Sequence, residues 1–315
     1  MLINIILLVV GFIILIKGAD IFVDGASSLA GNFKISKMVI GLTIVAFGTS
    51  APEFAVSIKS IFSGSGDIVL GNVIGSNILN ILLIIGVSSM FHFLNVKNNT
   101  VKKELPITIL ITTLLGVLLS DNLINDGENA FTRSDGVIVL LFFAVFIYYL
   151  ISVMRHKTEE PDEKYMPLFK AICFTIVGII AIIFGSNFVV DSASFLAKEF
   201  GVSEKMIGLT IIALGTSLPE LVTSITATRK GEYDIAIGNV VGSNIFNIGI
   251  VLGIPVTIFG GINNISFNYI DIIVMIISAI LLFIFSANDR KITRKEGLIF
   301  LSLFVIYYAY IICNA

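Results

Sequence analysis

The sequence predicts an all-α polytopic membrane protein of about ten transmembrane helices, arranged as two inverted five-helix repeats with broken helices at the midplane. Hydrophobic residues make up 56% of the 315 residues and charged residues only 13%, with a mean hydropathy of +1.01. A soluble domain carries about a quarter charged residues. About ten apolar runs are long enough to span a bilayer. Finally, the two halves of the chain repeat each other.

The apolar runs give the approximate spans of the helices. The first run lacks a basic region and a small-residue cleavage site, so it is predicted to be a spanning helix and not a cleaved signal peptide. The small-residue-rich segments 20–33 and 187–200 are predicted to extend the first and sixth helices. The spans predicted in chain order are 2–18, 36–60, 66–92, 103–121, 132–153, 167–190, 203–228, 233–259, 268–287 and 294–313.

The two halves are copies related by a constant offset of 220 − 53 = 167 residues, which aligns Glu53 with Glu220. An internal repeat of this length indicates a duplicated architecture. A polar, charged stretch near the middle is typical of a solvated connector. The predicted divisions are 1–154 for the first five-helix repeat, 155–166 for a cytoplasmic connector and 167–315 for the second, inverted repeat.

The distribution of Lys and Arg predicts the orientation. With the amino terminus outside, all but four of the 20 Lys and Arg residues fall on the cytoplasmic side of the membrane. This bias predicts a multi-pass protein of the cell membrane with both termini extracellular. Because each copy has an odd number of helices, the second copy enters from the opposite side, as in transporters that bind substrates at the repeat interface.

Each half carries an apolar stretch that ends in a carboxylate: GLTIVAFGTSAPE over 41–53 and GLTIIALGTSLPE over 208–220. An ionisable side chain at membrane depth costs several kcal/mol, so Glu53 and Glu220 are functional-site candidates. Each stretch also contains a proline, which lacks an N–H and clashes with the carbonyl four residues back. The residues predicted to break the two helices are Gly48, Pro52, Gly215 and Pro219.

A second duplicated motif reads GNVIGSNILNI over 71–81 and GNVVGSNIFNI over 238–248. At helical spacing its polar residues form one stripe in each half, which is predicted to face the broken helix. The alternative is that these side chains only hydrogen-bond between helices, which is common in membranes. The stripes comprise Asn72, Ser76 and Asn80 in the first half and Asn239, Ser243 and Asn247 in the second.

Carboxylates, hydroxyls, amides and freed carbonyls form an all-oxygen shell, which suits hard cations. Two buried carboxylates in one cavity repel each other, and one divalent cation, two monovalent cations, or a proton with a sodium ion would cancel their charge. Competition for the same two charges favours exchange over a channel. Flexible oxygen shells favour Ca²⁺ over Mg²⁺, which dehydrates reluctantly.

The GTSAPE and GTSLPE motifs, each followed by a GNV(I/V)GSN motif, resemble the paired alpha repeats of the sodium/calcium exchangers in the cation/calcium antiporter superfamily. The resemblance spans nearly the whole chain and suggests a prokaryotic member. It implies two inverted five-helix halves around four central cation sites. It also implies that the first and sixth helices slide across a fixed core to alternate access. The ligands it implies are the transported Ca²⁺ and Na⁺. No cofactor, no enzymatic activity and no nucleic-acid partner are expected, and the chain is expected to act as a monomer.

The resemblance also implies residue roles. The calcium site would be formed by Thr49, Glu53, Thr216 and Glu220. The sodium sites would draw on Ala46, Thr49, Ser50, Glu53, Ser76, Asn80, Ala213, Thr216, Ser217, Glu220, Ser243 and Asn247.

Asn247 marks a departure, because some members, notably potassium-dependent exchangers, have an acidic residue at this position. The asparagine leaves two carboxylates in the core, which predicts that exchange does not depend on K⁺. The stoichiometry usual in this family, about three Na⁺ per Ca²⁺, would make transport electrogenic.

Two alternatives remain open. The first is an antiporter of protons against Ca²⁺ or another divalent cation, although the paired Thr and Ser hydroxyls suit sodium, and proton coupling does not need them. The second is a calcium-permeable channel, which would not require a counter-ion. Calcium flux driven by sodium at fixed pH, compared with flux driven by a pH gradient, distinguishes these functions.

Overall fold

The computed structural model describes residues 1–120, 130–155, 165–202, 207, 210–211, 213–263, 265 and 268–314. Most of the predicted connector at 155–166 and the start of the predicted span 203–228 lie outside the described residues. The division of the chain at that connector therefore stays a prediction.

Helices dominate the fold, and the elements of the two halves correspond in order. In the first half they are α1 (Leu2–Phe33), α2 (Lys37–Thr49), α3 (Ala51–Phe62), α4 (Gly66–Phe91), α5 (Thr100–Glu104 followed by Leu105–Leu118) and α6 (Arg133–Met154). In the second half they are α7 (Leu168–Glu199), α8 (Ala213–Thr216), α9 (Leu218–Arg229), α10 (Tyr233–Phe259), α11 (Tyr269–Asp289) and α12 (Arg294–Asn314).

The lengths of the helices confirm the polytopic membrane architecture. In the described part of the chain, 7 helices are long and apolar enough to cross a membrane, and α2 with α3 forms a further span bent by 46°. The helices α1 and α7 are each continuous over 32 residues. The predicted extensions of the first and sixth helices are therefore confirmed.

The long helices α1 and α7 pack against each other through small residues. A Cβ atom at Gly25 would lie 2.6 Å from the backbone nitrogen of Thr175, and one at Gly185 would lie 2.6 Å from that of Leu15. Such close backbone contact is typical of small-residue interfaces in membranes. The pair contributes most of a separate buried apolar cluster, which touches the rest of the molecule at α2, α9 and α10.

The remaining helices surround α4 and α10, which are the most buried of the long spans. Their side chains form one continuous apolar cluster with residues of α5, α6, α11 and α12. Gly238 and Gly242 let α10 lie against α2, since their Cβ atoms would lie 2.9 Å from the Met38 carbonyl and 2.7 Å from the Ala46 Cβ. A Cβ atom at Gly71 or Gly75, the equivalent glycines of α4, would meet no described atom within 4 Å, so these two glycines do not make the same close contact.

Short backbone pairings join the two halves. Strand β1 (Leu94–Asn95), between α4 and α5, pairs antiparallel with strand β2 (Lys291–Ile292), between α11 and α12. Phe131, before α6, and Ile262, after α10, exchange two backbone hydrogen bonds of 2.8 Å. Successive connections lie on opposite faces of a helical membrane protein, so the two pairings link the repeats on opposite faces.

Candidate functional site

Each broken helix places a glutamate in the first turn after the break. Ser50 and Ser217 lie at the breaks, with φ/ψ of −82°/7° and −88°/3°, and a proline follows within the first turn of α3 and of α9. Glu53 and Glu220 therefore lie at helix amino termini, where free N–H groups and the helix dipole favour a negative charge. The breaks predicted beside the two prolines are confirmed.

Gly48 and Gly215, predicted to belong to the breaks, remain helical in α2 and α8 and allow close packing. A Cβ atom at Gly48 would lie 1.9 Å from the Ile179 Cδ1, and one at Gly215 would lie 2.3 Å from the Val190 Cγ2. Both neighbours belong to α7, so the ends of α2 and α8 lie directly against that helix. The Gly215 carbonyl accepts a 3.0 Å hydrogen bond from the Ser186 hydroxyl.

The two carboxylates are buried and bound across the repeat interface. Glu53 is 0% exposed and Glu220 is 1% exposed. The Ser50 hydroxyl donates to Oε1 of Glu220 over 2.9 Å, and the Ser217 hydroxyl donates to Oε1 of Glu53 over 3.5 Å. The serine at the break of each half therefore hydrogen-bonds to the carboxylate of the other half.

The polar stripes of α4 and α10 hold the same carboxylates from within each half. Ser76 lies 3.5 Å from Oε1 of Glu53, and Ser243 lies 3.5 Å from Oε1 of Glu220. The second carboxylate oxygen, Oε2, of each glutamate is buried without a hydrogen-bond partner. Both glutamates thus present one satisfied and one unsatisfied oxygen.

Thr49 connects α2 to the second half. Its hydroxyl lies 3.0 Å from the Asn239 Oδ1 and 3.3 Å from the Ala46 carbonyl. Asn239 also donates to the backbone carbonyl of Glu220 over 3.3 Å, and Ser243 lies 3.5 Å from the Ala46 carbonyl. One buried region therefore contains the Ala46 carbonyl, Thr49 and Glu220.

The equivalent residues of the second half are described in less detail. Thr216 ends α8 and is half-buried, whereas Ala213 begins α8 and its side chain lies outside the described residues. Their roles as ligands stay predictions.

Four asparagines form a reciprocal network where α4 crosses α10. The Asn77 amide donates to the Asn244 carbonyl over 3.3 Å, and the Asn244 amide donates to the Asn77 carbonyl over 3.4 Å. Asn247 donates to Oδ1 of Asn77 over 3.1 Å, and Asn80 donates to Oδ1 of Asn244 over 2.9 Å. The side-chain oxygens of Asn80 and Asn247 are buried without a partner.

Sequence reasoning identified Asn80 and Asn247 but missed Asn77 and Asn244. The predicted stripe took every fourth residue, whereas the missed pair directly follows the serines of that stripe. The signal that could have found them is the GSN triplet, which occurs in both copies of the motif.

A second feature that the sequence did not reveal is a widening of α4 and α10. π-helical turns occupy Asn80–Ile85 and Asn247–Leu252, so both begin at the innermost asparagine of the stripe. Turns of this kind are rare and frequently occur at functional sites.

The described part of the site offers oxygen ligands only. Within that part, none of the ion pairs involves Glu53 or Glu220, and no cluster of three or more His, Cys, Asp and Glu residues is present. Two carboxylates with neutral hydroxyl, amide and carbonyl oxygens form a donor set for hard cations such as Ca²⁺ and Na⁺. The buried oxygens without a hydrogen-bond partner include Oε2 of Glu53 and Glu220 and Oδ1 of Asn80 and Asn247.

Known proteins share both the sequence and the fold. A family model described as sodium/calcium exchanger protein matches residues 3–152 and 170–313. The putative antiporter CaxA of Alkalimonas amylolytica is 39% identical over 98% of both chains, and the sodium/calcium exchanger MaX1 of Methanosarcina acetivorans is 32% identical over 97% of both. A structure of the sodium-calcium exchanger NCX_Mj soaked with Na⁺ and Ca²⁺ matches with a TM-score of 0.85 and 31% identity, covering 98% of each chain. The chain therefore belongs to the sodium/calcium exchanger protein family.

Proposed function

We propose that this protein exchanges Na⁺ for Ca²⁺ across the cell membrane by alternating access. The observation that carries the proposal is the pairing of Glu53 and Glu220, one from each repeat, each held by a serine of the opposite half. Each retains a buried carboxylate oxygen that no donor satisfies. A buried charge without a partner is expensive, so these oxygens favour a bound cation.

The charge of the site explains why transport is coupled. Two carboxylates carry two negative charges, which one Ca²⁺ or two Na⁺ ions neutralise. The two ions compete for the same oxygens, and an empty site would leave both charges uncompensated in a low-dielectric cavity. Re-orientation is therefore favourable only when the site is loaded, which gives exchange and not leakage.

The proposed ligands follow the two repeats. The calcium site consists of Thr49, Glu53, Thr216 and Glu220. The sodium sites add oxygens of Ala46, Ser50, Ser76, Asn80, Ala213, Ser217, Ser243 and Asn247. The contacts of the Ser50, Ser76, Ser217 and Ser243 hydroxyls with the carboxylates support this set.

We further propose a stoichiometry of about three Na⁺ per Ca²⁺, which transfers one net charge per cycle and couples transport to the membrane potential at about 2.3 kcal/mol per 100 mV. Because Asn247 supplies a neutral oxygen, the exchange is expected to be independent of K⁺. The separate apolar cluster of α1 and α7 supports movement of this pair across the core.

Topology and assembly complete the proposal. Both termini are placed outside the cell, and the protein is proposed to act as a monomer. The ion pair between Lys37 and Glu232 joins two segments that the Lys and Arg bias assigns to one and the same face of the membrane.

The test is radiocalcium uptake into proteoliposomes that contain the purified protein. An outward sodium gradient at fixed pH should drive uptake, an imposed potential should change its rate, and K⁺ added to both sides should not. Protein-free liposomes provide the control.

Proton/calcium exchange is a second candidate, because the two unsatisfied Oε2 atoms can accept protons as well as cations. Uptake driven by a pH gradient without sodium would favour it over the proposal. Calcium flux that needs no counter-ion would indicate a channel and contradict both forms of exchange.

A further inference from the structure

Two backbone carbonyls determine the orientation of Asn77 and Asn244. The Nδ2 of each side chain lies against the main-chain oxygen of the other residue, at 3.3 and 3.4 Å. A carbonyl oxygen can only accept a hydrogen bond, so the NH₂ group of each amide must face it. The Oδ1 atoms of Asn77 and Asn244 must therefore point the opposite way, toward the neighbouring asparagines.

The same logic applies one residue further along the network. Oδ1 of Asn77 is an acceptor, so Asn247 presents its NH₂ group to it, at 3.1 Å. Oδ1 of Asn244 likewise takes the NH₂ group of Asn80, at 2.9 Å. Both outer amides are then fixed with their oxygens facing away from the network. Those two oxygens are the buried, unpartnered Oδ1 atoms of the candidate site.

We propose that Asn77 and Asn244 are positioning residues that hold the Asn247 and Asn80 amides with oxygen, and not NH₂, presented to the transported cations. The proposal rests on the cation exchange proposed above and adds two residues that the ligand set does not contain. Without this anchoring, either outer amide could rotate and offer a donor to a cation, which repels it. A correctly oriented neutral oxygen requires the neighbouring half, so the site is complete only where the two repeats meet.

The network also accounts for the neutral residue at position 247. Asn77 cannot turn its NH₂ group toward position 247, because that group is held by the Asn244 carbonyl. The residue at 247 must therefore donate a hydrogen bond, which an ionised carboxylate cannot do. In this chain the network thus keeps the site at two negative charges, and the further ligands it supplies are neutral amide oxygens.

Double-mutant cycles test the proposal. Asn77→Ala should raise the KM for Na⁺ in the uptake assay about tenfold, since losing one oriented sodium ligand corresponds to about 1.4 kcal/mol. In an Asn247→Ala background the same change should add less than about twofold, because the oxygen it orients is already missing. In the Asn80→Ala background Asn77→Ala should keep its full effect, since Asn80 is oriented by Asn244. Asn244→Ala should show the opposite pattern. It should add less than about twofold in the Asn80→Ala background and keep its full effect in the Asn247→Ala background.

Thermal unfolding of every variant in detergent separates positioning from structural damage. A purely structural role predicts that Asn77→Ala lowers the unfolding temperature and changes KM equally in both backgrounds, and that result would overturn the proposal. If the alanine variants do not fold, the cycles are repeated with Asn77→Ser and Asn244→Ser, which leave a hydroxyl for the exposed carbonyl. Absence of sodium-driven uptake by the wild-type protein would contradict the proposed function itself. Additive cycles in an active protein would contradict only the positioning role.

Discussion

At the scale of single residues, the site depends on how two buried carboxylates share their neighbours. Glu53 and Glu220 occupy equivalent positions, yet their bonds across the interface differ in length. Ser50 donates to Glu220 over 2.9 Å, whereas Ser217 lies 3.5 Å from Glu53. A hydrogen bond to a charged acceptor is strongest at the shorter distance. The two repeats therefore hold their partners with unequal strength.

This inequality predicts unequal effects of removing the hydroxyls. Ser50→Ala should raise the KM for Ca²⁺ by about ten- to a hundredfold, because a hydrogen bond to a charged group contributes about 1.5 to 3 kcal/mol. Ser217→Ala should raise it less, because its bond is long. Radiocalcium uptake over a range of Ca²⁺ concentrations measures both values. Equal effects of the two variants would contradict the difference in geometry.

The carboxylates themselves give a stronger prediction. Glu53→Gln or Glu220→Gln should abolish calcium exchange, since either change leaves a single charge that cannot balance a divalent cation. The matched control is Glu199→Gln, which alters an exposed glutamate at the end of α7 and should leave uptake unchanged. Full sodium-driven uptake by either site variant would remove the central role of the pair.

Single residues also show how far the sequence can predict this site. The glutamates were identifiable because a charge in an apolar run is costly and because each occurs twice. Asn77 and Asn244 were not, since helical periodicity within one segment does not show which residues of α4 will meet α10. Their role arises only when two copies are packed against each other.

At the scale of the helices, apolar run length predicted most spans, including the extensions that make α1 and α7 continuous. The π-helical turns of α4 and α10 were not predictable, because no local pattern distinguishes them from regular helix. The position of the breaks was predictable from the prolines. The close packing of Gly48 and Gly215 on α7 was not, since it depends on a helix distant in sequence.

The α1–α7 interface gives a prediction at this scale. In Gly185→Val the new side chain would begin 2.6 Å from the backbone nitrogen of Leu15, so the helices must separate. Overpacking of this kind costs about 1 to 3 kcal/mol. The variant should lower the unfolding temperature and slow calcium uptake. Phe184→Leu, which changes an adjacent residue that is 58% exposed, should leave both unchanged. A stable, fully active Gly185→Val protein would show that the close contact is dispensable.

At the scale of the whole molecule, the two halves differ in the charged residues where α1 meets the core. Lys230, between α9 and α10, contacts Asp24 of α1 over 2.6 Å and Asp20 over 3.7 Å. Glu232 accepts a 2.8 Å hydrogen bond from Ser27 of α1 and pairs with Lys37. These contacts fasten α1 to one face of the core in this conformation.

The equivalent positions in the first half cannot form the same contacts. With the offset of 167 residues, Ser63 is the equivalent of Lys230 in the first half, and Ser65 is the equivalent of Glu232. The alternating access proposed above would exchange the roles of α1 and α7 in an inverted repeat. In that conformation Asp191 of α7, the counterpart of Asp24, would face Ser63 at the position where Asp24 now meets Lys230. We therefore expect the ion pairs to favour the conformation described here over the opposite one.

Removing the lysine should therefore shift the balance between the two conformations. Lys230→Gln is expected to raise hydrogen exchange of the α1 amides near Asp24 by up to about fivefold, since an exposed ion pair contributes about 0.2 to 1 kcal/mol. Salt at about 1 M, where the screening length falls to about 3 Å, should raise exchange in the wild type and reduce its difference from the variant. Lys59→Gln, at an exposed lysine of α3, provides the control and should change nothing. Identical exchange in Lys230→Gln and the wild type at low salt would show that these charges do not bias the equilibrium.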